Sequence, residues 1–387
     1  MQAKSIYISR VIGAALAAFL LSQAGATSAA TLSTQKAAQP AASINIIFDT
    51  DMWADIDDAQ ALAMLHALQD RHEVNLLAVT ISHDDPWCAS YVDLVNTFYG
   101  YPKIPIGIVH NGIDTNTMAQ SLKIPRSKLF PTGNYTQLLS ERKRADGSLV
   151  YPHRLIDGTM APEAVALLRK ILAAQPDGSV VMIQVGYSTN LARLLDSKPD
   201  GMSSLAGREL VRKKVRLLSV MAGGFGETHW EGKKVPKGAP EFNLVMDVSS
   251  AQKLFSEWPT PIVASGLEVG YAMPFPASAI ERYFLYAQDH PIAEASRIYF
   301  RGLGERTLPN WHTADHTSVL YAVRPDEQYF SLSKPGRVTV LGDGSSRFDE
   351  SEDGTHRYLI LSEEQRARTL EAMVMLASQP PVHSGIP

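Results

Sequence analysis

Three features of the 387-residue chain predict an α/β fold, built as a single domain whose mostly parallel central sheet is flanked by helices. Short apolar runs recur along the sequence with helical patterns between them, the alternation expected of such a sheet. The first run opens onto a cluster of carboxylates and then onto a helix, as happens where α/β proteins bind ligands, at the carboxyl end of a parallel strand. About 350 residues follow the amino-terminal segment without an internal repeat. That length suits one large α/β domain or two smaller ones, and the unbroken alternation favours one.

The amino terminus is set apart. Lys4 and Arg10 precede an apolar stretch over 11–21 and then small residues through Ser28-Ala29-Ala30, the pattern of a cleavable secretory signal over residues 1–30. The stretch is too short to span a bilayer comfortably, and no later segment reaches the length of a membrane helix. Export to the periplasm or the medium is therefore expected, with an uncleaved amino-terminal anchor as the alternative. Residues 31–43 lack hydrophobic periodicity and read as a flexible lead-in to a domain over 44–387.

Within that domain Asn45-Ile46-Ile47-Phe48 reads as a short buried strand. From Asp58 onward, Leu62, Leu65, His66 and Gln69 fall three and four residues apart, which predicts a helix. Further strands are expected over 74–82, 104–109, 179–185, 215–221 and 261–265, with helices notably over 161–174 and 249–258. The stretch 111–159 is polar, rich in Pro, Gly and charge, and reads as a long excursion over the ligand-binding end of the sheet. Its run Glu141-Arg142-Lys143-Arg144 suits a solvated face.

The formal net charge of −4 gives no basic footprint for nucleic acid or anionic lipid. Cys88 is the single cysteine, so no intramolecular disulfide forms and stability must come from the core. Nothing near Cys88 in sequence supplies a base, so it reads as a buried spectator rather than a nucleophile.

Chemistry concentrates in Asp49-Thr50-Asp51-Met52-Trp53-Ala54-Asp55-Ile56-Asp57-Asp58, which holds five aspartates. Packing so much negative charge into one strand-to-helix turn costs self-repulsion, and a hard divalent cation is the commonest reason to keep it. One of Asp57 and Asp58 also suits a helix cap or first-turn acid. An EF-hand reading fails, because counting from Asp49 puts Trp53 at the fifth position and Ala54 at the sixth, where an oxygen ligand and a glycine belong.

Phe48-Asp49-Thr50-Asp51 followed by Asp55-Ile56-Asp57-Asp58-Ala59 resembles the amino-terminal signature of the inosine/uridine-preferring nucleoside hydrolases, usually Asp-Thr-Asp-Pro-Gly-x-Asp-Asp-Ala. Here the span between Asp51 and Asp57 is two residues longer, and Met52-Trp53 stands where Pro-Gly is usual. Further matches follow in the family's order: Gly186-Tyr187-Ser188-Thr189-Asn190-Leu191-Ala192, Met221-Ala222-Gly223-Gly224, Glu241-Phe242-Asn243, and Asp315 before Val319-Leu320-Tyr321-Ala322-Val323. The resemblance covers about Ile44 to Pro325 and implies a Rossmann-like, nucleoside hydrolase-like catalytic domain.

It also implies calcium-dependent hydrolysis of the N-glycosidic bond of ribonucleosides, or related ribosides, to ribose and free base. Such cleavage passes through an oxocarbenium ion, so the site needs a water nucleophile, a nearby carboxylate and groups that hold the sugar. By the resemblance Asp51, Asp58 and Asp315 and the carbonyl of Val185 would ligate Ca2+, and Asp51 would take the water's proton. Asp57 would accept the ribose 2′ and 3′ hydroxyls, while Glu241 and Asn243 would hold its 3′ and 5′ side. His83 and Asp84 stand where the family often has a ribose-contacting asparagine.

Bland roles stand beside these. Asp49 suits a loop-orienting acceptor of backbone N–H groups, Asp55 a solvated loop residue, and Asn243 a helix cap. Gly223-Gly224-Phe225-Gly226 lacks the lysine of a phosphate loop and reads as a tight turn beside the site. Many relatives place a leaving-group histidine just before the last aspartate, where this chain has Ala314. His312 and His316 flank it and are the candidate substitutes. Trp53, Trp87, Trp230, Tyr271 and Trp311 are candidates for stacking a base. Two rival readings are an exported riboside-binding protein without turnover and a haloacid-dehalogenase-type phosphohydrolase using Asp49 and Asp51. A homo-oligomer is left open by the sequence.

Overall fold

The computed structural model describes residues 43–382 apart from 54, 127–128 and 130–133. The expected secretory signal over 1–30, and the lead-in up to residue 42, lie outside the described residues. Strand β1 (Ile44–Thr50) buries Ile46, Ile47 and Phe48 completely, so its apolar run is continuous rather than alternating, as in a strand covered on both faces. It is followed by β2 (Val74–His83), β3 (Ile106–Ile113), β4 (Val180–Gln184) and β5 (Val215–Met221). A separate two-stranded hairpin, β6 (Thr228–Trp230) and β7 (Lys233–Val235), precedes β8 (Ile262–Ser265). The short β9 (Ser331–Leu332), then β10 (Gly336–Val340), β11 (Ser346–Glu350) and β12 (His356–Ile360), complete the set.

The main sheet runs β3-β2-β1-β4-β5-β8-β12-β10-β11, with β9 beside β12. Every pairing from β3 to β12 is parallel, and the pairings of β9, β10 and β11 are antiparallel. The chain builds outward from β1 to β3 and then returns to lay β4 on the other side of β1. Strand order therefore reverses at β1, and the carboxyl ends of β1 and β4 part to form a crevice where ligands bind in such folds.

The helix Asp57–Asp70 leaves that crevice and is buried from Asp57 through Leu68. Leu62 and Leu65 mark only one of its faces; Ala59, Ala61, Ala63 and Ala67 let neighbours pack closely on the others, including the helices Ala314–Val323 and Glu363–Ala377. The strand expected over 104–109 starts two residues later and continues to Ile113, into the expected excursion. Its described residues include the short helices Thr115–Ser121 and Tyr135–Ser140, capped by Asp114 and Asn134. Each spans two turns or fewer, too little to show a hydrophobic period. No helix among the described residues is long and apolar enough to cross a membrane.

Candidate active site

The aspartate loop is shaped by its own side chains. Thr50 Oγ1 donates to Asp58 and accepts from Met52 N at 3.1 Å, which turns the chain sharply after β1. Ile56, not an aspartate, stands at the helix N-cap without a side-chain cap, so Asp57 and Asp58 occupy the first turn and point their charge at its free N–H groups. On the opposite wall, a Cβ on Gly186 would come within 2.3 Å of Asp51 N, so only glycine allows the β4 end to approach this closely. Asn134 Nδ2 donates to Trp53 O at 3.1 Å and Tyr135 OH to Asp55 O at 2.8 Å, so the excursion braces the lengthened loop.

Asp49 does orient the local structure, but through side chains rather than backbone N–H groups. Its Oδ1 accepts from Thr80 Oγ1 at 2.5 Å and Asn190 Nδ2 at 2.8 Å, tying β1 to β2 and to the helix Thr189–Asp196. Burial pushes its carboxyl up to about 7. Asp49 is fully buried and does not line the crevice, which removes the nucleophile that a phosphohydrolase would need.

The crevice encloses about 230 Å³. Asp51, Asp55, Asp57, Asp58 and Asp315 line its floor, with Val185, Glu241 and Asn243 beside them. Asp57 Oδ2 also accepts from Asp315 N at 3.2 Å, fixing the two ends of the acidic group together. Burial, then the neighbouring Asp57 carboxylate, raises Asp51 well above the usual range. Burial and then Asp51 do the same to Asp58, and burial and then Asp57 to Asp315. Carboxylate oxygens of Asp57, Asp58 and Asp315 lie within 4.8 Å of one another. Asp51 stands outside that triplet but lines the same crevice. An all-oxygen donor set whose members repel one another fits a hard cation such as calcium.

Glu241, rather than Asn243, caps the helix Phe242–Met246, accepting from Asn243 N at 2.8 Å, Leu244 N at 3.2 Å and Gly223 N at 3.3 Å. Burial outweighs those donors and lifts its carboxyl to about 7. Asn243 Nδ2 donates to Val185 O at 2.8 Å and Met221 O at 3.3 Å, which commits its amide hydrogens and leaves Oδ1 as the acceptor.

Asp55, read from sequence as a solvated loop residue, is instead half-buried in the site. His312 Nε2 lies 2.9 Å from its Oδ2, and His312 Nδ1 lies 3.3 Å from Asp57. Burial alone would lower the His312 pKa, but Asp55 and Asp57 outweigh it and raise it to about 10. His316 does not line the crevice: it is fully buried with its ring 5.6 Å from Phe275, and burial lowers its pKa to about 3.

His83 and Asp84 also lie off the crevice. His83 is stacked on Trp53 at 4.6 Å, and Asp84 accepts from Gly112 N at 3.0 Å. Trp53, where the resembled motif has glycine, carries φ +154°, a strained value for a bulky residue. Of the five aromatic candidates only Tyr271 lines the crevice, joined there by Tyr299, which no sequence signal marked. Trp230 stacks on Tyr271 at 4.5 Å.

The family model described as inosine-uridine preferring nucleoside hydrolase matches residues 46–374. The chain is similar to an inosine-uridine preferring nucleoside hydrolase from Bacillus anthracis, with 15% identity and TM-score 0.58 over 87% of this chain and 99% of that one. It is similar to a purine-preferring ribonucleoside hydrolase from Gardnerella vaginalis, with 14% identity and TM-score 0.61 over 86% and 98%. A plant nucleoside hydrolase, PpNRh1, gives 17% identity and TM-score 0.60 over 87% and 99%. Comparison with curated proteins returns no match. The structural likenesses carry the fold, and the family match spans most of the chain: it belongs to the inosine-uridine preferring nucleoside hydrolase family, hydrolases that act on the N-glycosyl bonds of nucleosides.

Proposed function

We propose that this chain hydrolyses ribonucleosides, or closely related ribosides, to ribose and free base with the help of bound calcium. The observation that carries the reading is the convergence of Asp51, Asp57, Asp58, Asp315, Glu241 and Asn243 on one crevice with the Val185 carbonyl. Asp51, Asp58, Asp315 and that carbonyl would hold the ion. When bound, calcium supplies positive charge that acidifies water and attracts sugar hydroxyls.

The remaining roles belong to the chain. Asp51 takes the proton of the attacking water as the sugar carbon gains positive charge. Asp57 accepts the 2′ and 3′ hydroxyls, and Glu241 with Asn243 Oδ1 accepts hydroxyls on the far side of the ribose. His312, kept charged by Asp55 and Asp57, donates a proton to the leaving base, in place of the residue that Ala314 replaces. Tyr271 and Tyr299 give the base an aromatic wall. We further infer export, from the amino-terminal pattern alone; amino-terminal sequencing of the mature protein after Ala30 tests it.

Ala314 also motivates the second reading, a riboside-binding protein without turnover. Incubating the purified protein with a nucleoside panel, with and without chelator, decides between them. Ribose release that stops on chelation and returns with calcium supports hydrolysis; binding without release supports the second reading.

A further inference from the structure

Glu241 is gripped from two directions, and one of them comes from a part of the chain that no motif marks. Its carboxylate is held by the N–H groups of Gly223, Asn243 and Leu244. Its own backbone N–H donates to Gly344 O at 3.2 Å, on the turn between β10 and β11. Two residues on, Ser346 Oγ accepts from Gly224 N at 3.0 Å, and Ser346 N donates to Gly238 O at 3.4 Å. The same turn lies directly on the helix that Glu241 caps. Gly344 has φ +80°, and a Cβ there would come within 2.5 Å of Val245 Cγ2 and 2.9 Å of Val245 Cα.

We propose that the β10–β11 hairpin is a positioning element for the sugar side of the crevice, acting through Gly344 and Ser346. It deepens the reading above and rests on it only in taking Glu241 and Asn243 as sugar-holding groups. The hairpin fastens both ends of the segment 224–241, so the Glu241 carboxylate and the Asn243 amide start from a fixed backbone. Asn243 in turn holds the Val185 carbonyl, which lines the same crevice. Displacements of about 1 Å in such supports cost up to about 10²-fold in rate. The plain alternative is that the hairpin only covers the core, since Val338 and Val340 are buried in the apolar cluster that also contains Phe225.

Three variants separate the two. Ser346→Ala removes the Gly224 contact, Gly344→Ala forces the turn off Val245, and Val340→Ala weakens hairpin packing while leaving the Gly344–Glu241 and Ser346–Gly224 hydrogen bonds in place. Calorimetry with an iminoribitol, a ribose-shaped amine lacking a base, reads sugar binding directly, alongside KM and kcat for inosine. Ser346→Ala should weaken iminoribitol about fivefold, the loss of about one hydrogen bond, and Gly344→Ala should weaken it more. Val340→Ala should lower the melting temperature and leave binding unchanged. The proposal is overturned if Ser346→Ala and Gly344→Ala bind like wild type, or if Val340→Ala weakens binding as much as they do at equal loss of stability. A wild type that binds iminoribitol but cleaves no riboside defeats the hydrolytic reading alone, because the ratios between variants still decide this one.

Discussion

His312 Nε2 lies 2.9 Å from Asp55 Oδ2, joining the lengthened aspartate loop to the segment just ahead of the last helix aspartate. Asp55 Oδ1 accepts from Trp311 Nε1 at 2.7 Å, so one carboxylate fixes both residues of the Trp311-His312 pair. Two of the departures from the family pattern, the longer loop and the alanine at 314, thus lie beside one contact, between Asp55 and His312. On the proposed reading, the inserted acid would supply the anchor for His312 as leaving-group acid.

The first prediction tests that histidine. A positioned general acid is worth about 10²–10⁴-fold, so His312→Ala should depress inosine hydrolysis by that order and leave a nitrophenyl riboside nearly untouched, since nitrophenolate departs unaided. His316→Ala should change neither rate. Equal losses on both substrates in His312→Ala would assign the residue to binding instead.

The second concerns the ion. Elemental analysis of the purified protein should find about one calcium, given the coordination such a cluster offers. Asp58→Ala and Asp315→Ala should each lose it. Undiminished metal in both variants would remove them as ligands.

A third separates the two aspartates of β1 and its exit. Asp51→Asn keeps an oxygen but cannot take a proton, so kcat should fall by about 10²–10⁴-fold while iminoribitol still binds. Asp49→Asn keeps an acceptor for Thr80 and Asn190, away from the crevice, and should cost kcat far less. The opposite ranking in steady-state kinetics would exchange their roles.

Much of the site is legible because its residues sit in short motifs, just after β1 or at the caps and first turns of helices: Asp51, Asp57, Asp58, Glu241, Asn243 and Asp315 all line one crevice. Asp55 and Tyr299 are not, because their place depends on how distant segments meet; Tyr299 arrives from the helix Pro291–Gly302, which carries no catalytic pattern. His83 and Asp84 do not line that crevice; one stacks on Trp53 and the other accepts from Gly112 N, contacts that depend on segments distant in sequence. The carboxyl-terminal strands carry no motif, whereas the helix Glu363–Ala377 that follows them has a sequence signal, the capping box of Ser362 and Gln365.

The fourth prediction is acid sensitivity of the fold. His66 is fully buried, bonded through Nε2 to Asn96 Oδ1 at 2.9 Å, and burial lowers its pKa to about 4. An unfolded chain binds that proton near pH 6.5, so stability is complete above that pH and falls as pH drops towards 4. The slope is about 1.4 kcal/mol per pH unit for one such group. Replacing it, as in His66→Gln, should flatten the decline measured by urea unfolding between pH 7 and 4.5; an unchanged slope would assign the acid sensitivity elsewhere.

The last prediction concerns the base. Tyr271 lines the crevice and is stacked by Trp230 at 4.5 Å, and Trp230 also meets His312 edge-on at 5.2 Å. Trp230 stands at the tip of the β6–β7 hairpin, just before a turn at Glu231-Gly232 where both residues have positive φ. A lone two-stranded hairpin is marginal by itself; Val235 packs this one on the core and the Trp230 ring seats its tip on Tyr271. A flat heteroaromatic base stacked on that ring gains about 0.5–1.5 kcal/mol beyond burial. Trp230→Ala should therefore raise KM for inosine by about threefold to tenfold, in line with that energy. Trp230→Phe should restore most of the loss, and iminoribitol, which has no base, should bind all three proteins alike. If Trp230→Ala weakens iminoribitol as much as inosine, the tryptophan supports the whole crevice rather than its base-binding wall.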